Sequence, residues 1–144
     1  MGKRRVAREC ALRILYEIEF NDAGPEPALA RESAGASLGR ESFDYAVGLV
    51  RGVCARRDEI DGLIESTSAH WRIPRMAPVD RNILRIAVCE LLEGAFLAPA
   101  IVINEAIEIA RRFSGEAAAL FVNGVLDAVR KKLAAPAGAA AEAE

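Results

Sequence analysis

Apolar residues recur every three to four positions along most of this chain, and no segment shows the two-residue alternation of a strand. That rhythm confines the fold to packed helices. Within residues 3–20, Val6, Cys10, Ile14 and Ile18 repeat every four positions, with Ala7, Ala11 and Leu15 beside them. They predict one apolar stripe on a first helix. Asn21, Asp22, Gly24 and Pro25 end it. Residues 26–40 have weak periodicity and read as a short helix and a loop. Ser42 is the expected N-cap of a helix to residue 55, carrying Phe43, Val47, Val50 and Cys54. Residues 56–58 read as a polar joint. The next helix is expected to reach His70 on Ile60, Leu63, Ile64 and Thr67, with Trp71 continuing its face before Pro74 and Pro78 break the chain.

The second half is more strongly patterned. Residues 80–95 carry Ile83, Leu84, Ala87, Val88, Leu91 and Leu92, a broad apolar face suited to a central helix. Asp80 reads as its N-cap or an acid of its first turn. Pro99 fits the first turn of a helix to Phe113, and Ser114-Gly115 separates that from a last helix on Leu120, Phe121, Val125, Val129 and Leu133. One all-α domain follows, spanning residues 1–133, with sub-bundles of about 1–73 and 74–133. Residues 134–144 are low in complexity and expected to be disordered.

Charge is unevenly placed. Lys3, Arg4, Arg5 and Arg8 put four cations in six positions, although the chain has 19 Lys and Arg against 21 Asp and Glu. Without those four, the remainder carries a net charge of about −6. Cations at a helix start oppose the macrodipole and call for an anion nearby. Phosphate meets that need, and an Arg fork binds it bidentately. A nucleic acid is the favoured partner, and four single-stranded RNA contacts would give a log K against log salt slope of about −3. Tyr16, off the first stripe, is a candidate to stack on bases. Phe121 follows its helix stripe, which favours the core when it is taken alone.

Catalysis finds little support. His70 is the one histidine and reads as structural or solvated, so no common zinc set is available. Phosphate-loop, dinucleotide and nucleophile-elbow motifs are absent. Glu105 and Glu108 share a helix with Arg111 and Arg112, and Glu108 with Arg112 reads as a surface pair. Asn104 and Asn123, at the margins of apolar helices, read as structural amides. Cys10, Cys54 and Cys89 form no C-x-x-C pair and read as core thiols in a reducing, cytoplasmic compartment. No cofactor is expected. The longest apolar run, residues 95–103, contains Pro99 and is too short to span a bilayer.

Four strings carry a family resemblance: "KRRVARECALRILY", "PVDRNILRIAVCELL", "INEAIEIARRF" and "FVNGVLD". Together, in this order and spacing, they resemble the NusB family of transcription antitermination proteins, over about residues 3–133. The resemblance implies about seven helices in two sub-bundles. It also implies binding to the boxA element of nascent ribosomal RNA leaders together with NusE, a small-subunit ribosomal protein. With other Nus factors and RNA polymerase, that complex suppresses premature termination. The family's arginine-rich motif falls on Lys3, Arg4, Arg5 and Arg8, and its aromatic RNA contacts on Tyr16 and Phe121. Asp80 and Glu90 fall in the region implied to face NusE.

The stretch before "FVNG" departs from the family pattern. Glu116 keeps one carboxylate, but Ala117, Ala118 and Ala119 replace acidic and small polar residues, and Leu120 stands where a base is usual. A related module opens an rRNA cytosine methyltransferase, which needs a nucleotide-cofactor domain downstream. The tail to Glu144 points instead to a free-standing RNA-binding adaptor. Reversing Arg5 and Arg8 to Glu is expected to abolish RNA binding and spare folding, since exposed charges contribute little to stability. Two other readings stay open: an adaptor whose cations bind an acidic protein, and a homodimer that buries its RNA surface until a partner arrives.

Overall fold

The computed structural model describes residues 2–35, 38–94 and 98–134; the expected disordered tail from 135 lies outside them. Among the described residues there are seven α-helices and no strand: α1 (Gly2–Ile18), α2 (Pro25–Gly35), α3 (Arg40–Ala55), α4 (Arg57–Ser66), α5 (Pro78–Glu93), α6 (Pro99–Ser114) and α7 (Glu116–Ala134). A single 3-10 turn, Ile73–Arg75, precedes α5. No helix among them is long and apolar enough to cross a membrane.

The centre is α5. Pro78 opens it, where a missing N–H costs nothing, and Asp80 sits in its first turn, while Ala77 takes the cap position. Its residues 82–89 are buried on every side, because α1, α3, α4, α6 and α7 all pack on it. The apolar side chains of all seven helices join in one core. Gly94 ends α5 at φ 58, and Gly115 joins α6 to α7 at φ 97, both in the left-handed region where a side chain is strained.

Several expectations are corrected. Four-residue steps advance about 40° around a helix, so a stripe at that spacing drifts off the core. Val6 is exposed and Ile18 half-buried, and Ala7, Cys10, Ala11, Ile14 and Leu15 form the buried face. Ser42 is not a cap: α3 begins two residues earlier, after Gly39 at φ 90, and Ser42 is buried inside it. The joint before α4 is Arg56 alone. That helix stops at Ser66, where the Ser66 and Thr67 hydroxyls donate to the Leu63 and Ile64 carbonyls. Trp71 therefore leaves the helix face and stands exposed.

The structural amides are also elsewhere. Asn104 and Asn123 are exposed, whereas Asn82 is buried and donates to the Pro78 carbonyl and the Glu19 carboxylate. Around it Arg81 and Arg85 also hold Glu19, and Arg85 forks onto Asp61 at 2.9 and 3.0 Å. This network fastens the end of α1 and the middle of α4 to α5.

Candidate nucleic-acid interface

The basic start of α1 lies against acids brought from far away in the chain. Arg5 forks onto Glu105 of α6, Nε to Oε1 at 2.9 Å and Nη2 to Oε2 at 2.7 Å. Arg8 forks onto Glu90 near the end of α5 at 2.8 and 2.9 Å. The Tyr45 hydroxyl of α3 donates to the same Glu90 carboxylate. Burial, then that bond to Glu90, raises the Tyr45 pKa and keeps its proton in place. Arg4 lies over the Tyr45 ring, 4.3 Å from its centroid. The anion that the helix start requires is thus supplied from within, by two glutamates.

These contacts correct the reading of four equivalent surface cations. Arg8 is 3% exposed, and its guanidinium is occupied by Glu90. Glu90 in turn is committed to Arg8 and Tyr45 and presents no free carboxylate. The expectation that charge reversal at Arg8 spares folding does not fit this burial. Arg5 is partly exposed, while Lys3 and Arg4 are exposed.

Further along α1, Arg5, Glu9 and Tyr16 fall within an arc of about 40° at 100° per residue, with Arg13 beside them. Arg112 of α6 reaches Glu9 at 3.0 Å, so this face continues onto α6. That contact also corrects the expected Glu108–Arg112 pair: Glu108 bonds Arg111 instead. Tyr16 is exposed and packs edge-to-face on Phe20 at 5.1 Å. Among the described residues, Arg13 has no ion-pair partner.

A second aromatic pair lies beside the start of α5. Phe121, half-buried on α7, packs edge-to-face on exposed Trp71 at 4.8 Å. A groove beside them is lined by His70, Arg75, Ala77, Asp80, Ser114 and Ala117. Oδ1 of Asp80 is buried there without a hydrogen-bond partner among the described residues. Glu116 is exposed and accepts both hydrogen bonds of an Arg111 fork, so it is partly neutralised. Leu120 is 67% exposed, an apolar side chain on the surface next to Phe121. Sequence reasoning missed Tyr45, Arg13, Trp71 and Glu105 as parts of these surfaces.

Exposed cations and aromatic rings thus lie on one all-helical domain, with one buried and one partly exposed arginine–glutamate clamp behind the cations. Comparison with known proteins places it within a family. The NusB family model matches residues 5–131, so the chain belongs to the NusB family. It is 46% identical over 133 residues to the transcription antitermination protein NusB of Anaeromyxobacter dehalogenans, covering 92% of this chain and 93% of that one. To that of Geobacter sulfurreducens it is 43% identical over 137 residues, covering 92% and 97%. Its fold is similar to a crystal structure of the antitermination factors NusB and NusE in complex with dsRNA, at a TM-score of 0.81 and 29% identity, covering 92% of this chain and 98% of that one. The solution structure of NusB from Aquifex aeolicus gives a TM-score of 0.79 at 28% identity, with 94% and 95% covered.

Proposed function

We propose that this protein is an RNA-binding transcription antitermination factor. It holds the boxA strand of nascent ribosomal RNA leaders jointly with NusE, and with other Nus factors and RNA polymerase it suppresses premature termination. The observation that carries this reading is the shared face of α1, where Arg5, Arg13 and Tyr16 line up beside Arg112 of α6. Phosphate contacts on that face give affinity, and stacking on Tyr16 and Phe121 contributes to base choice. The family likeness supports the same assignment.

The roles divide by exposure. Lys3, Arg4 and Arg13 meet phosphate, and Arg5 does so when it is released from Glu105. Arg8 holds the helix start in place for them. Asp80, half-buried in the first turn of α5, is the acidic contact for NusE. Glu90 acts indirectly, through Arg8 and Tyr45. Glu116 borders the RNA path beside Phe121.

The test is fluorescence anisotropy of a boxA RNA and a scrambled RNA, with and without NusE, across a salt series. Tighter boxA binding that NusE strengthens is the expected result. Three phosphate contacts would give a slope of about −2, shallower than four free cations would. Equal, weak, NusE-independent binding to both RNAs would reject the proposal and favour an adaptor for an acidic protein.

A further inference from the structure

The two arginine clamps at the start of α1 differ in a way that bears on affinity. Arg8 and Glu90 expose 4% and 7% of their side chains, so water hardly reaches either group. Arg5 and Glu105 expose 36% and 14%, so this outer pair is open to exchange with solvent anions. Glu105 takes Nε and Nη2 of Arg5, the edge that a bidentate phosphate contact would use. Nη1 has no acceptor among the described residues. A phosphate approaching that open end would lie beside the Glu105 carboxylate and be repelled by it. Glu105 is an anion at neutral pH: the hydrogen bonds from Arg5 hold its carboxyl below the usual range, against the opposing effect of burial.

We infer that Glu105 is a built-in competitor for RNA phosphate, occupying Arg5 in the free protein and lowering its affinity for RNA. The inference rests on the RNA-binding reading above and names the residue that sets the strength of that binding. Its chemistry is simple. A carboxylate and a phosphate diester are both oxyanions that fit the guanidinium fork, and one must leave or crowd the other. The buried Arg8–Glu90 clamp behind it, whose Arg8 Nη1 also lies 3.7 Å from Glu105, keeps α1 in position during the exchange. RNA affinity is thereby held below what the arginine-rich segment could deliver, leaving room for a partner to add the remainder.

Glu105→Gln and Glu105→Ala remove the competing charge, and both are made so that a folding defect in one leaves the other informative. Glu59→Gln controls for net charge, since Glu59 pairs with Arg56, away from the start of α1. Binding to boxA RNA is measured by anisotropy from low to high salt. One released arginine makes one more phosphate contact, which steepens the slope by about 0.7 and tightens binding about fivefold at 0.1 M salt. Glu59→Gln leaves both unchanged, and in an Arg5→Gln background the Glu105 substitutions lose their effect. Weaker or unchanged binding by folded Glu105 variants would overturn the inference and make Glu105 a positioning residue for Arg5. A parent protein that binds no RNA would instead remove the functional reading, and the inference with it.

Discussion

Arg8 and Glu90 stand 82 residues apart in the chain and share two hydrogen bonds, Nε to Oε1 at 2.8 Å and Nη2 to Oε2 at 2.9 Å. Removing one partner strands the other charge in the interior. Arg8→Gln is therefore expected to destabilise the protein by about 3 kcal/mol, against about 1 kcal/mol or less for Arg5→Gln at the more open pair. Urea unfolding followed by helical circular dichroism measures both. Equal, small losses would show that the Arg8 clamp is not the anchor its burial implies.

Glu19 sets an acid limit on stability. Burial alone would raise its pKa, but hydrogen bonds from Arg81 and Asn82 and the charges of Arg81 and Arg85 bring it below the usual glutamate range. A carboxyl depressed in the folded state binds its proton more readily when unfolded, so its contribution is present above the unfolded pKa and fades as pH falls through the folded one. The urea midpoint should drop as pH falls from about 5 into the range below the unfolded glutamate value of about 4.3. Glu19→Gln, already weakened at pH 7, should show a shallower fall over that window.

The three thiols should differ in reactivity. Burial, reinforced by neighbouring Glu93, pushes the Cys89 thiol up to about 12, leaving almost no thiolate at pH 8. Cys10 is buried and Cys54 only partly so. A disulfide reagent at pH 8 should label Cys54 first, and all three cysteines only in denaturant. Early labelling of Cys89 in the folded protein would contradict the close approach of α3 and α5 around it.

Leu120 offers a gain-of-function test of the departure before "FVNG". Its side chain is exposed, so Leu120→Lys should change stability by less than about 0.5 kcal/mol. If RNA passes Phe121, an added cation there should tighten binding about fivefold at 0.1 M salt. An unchanged affinity would move the RNA path away from this end of α7.

Helices were legible because their apolar period is local information. Pro78, Pro99 and Gly115 punctuate the second half at the positions where α5, α6 and α7 start or part. The basic cluster was legible for the same reason, being contiguous. Its pairing was not: Glu90 and Glu105 look like other acids on amphipathic helices, and only the tertiary fold brings them 82 and 100 residues back to α1. Trp71 was misplaced because periodicity does not register the hydroxyl caps that stop α4 at Ser66. Asn82 sits in the polar-looking string "DRNILR", so nothing local marks it as the amide buried at the heart of a charge network.

The two ends of α1 are tied to one neighbour, Arg8 to Glu90 and Glu19 to Arg81, Asn82 and Arg85. Glu19 lies eleven positions after Arg8, just past the last residue of α1 but still bonded to the Leu15 carbonyl, so about three full turns or 16 Å of rise bring both side chains out along nearly the same line. The pair works like two pegs in a ruler. Inserting or deleting one residue between them would swing one peg about 100° away from α5, whatever residue was chosen. The length of α1 between its clamps is therefore under stricter control than most of the side chains along it. The spacing of its exposed Lys3, Arg4, Arg13 and Tyr16 is the quantity that this control preserves.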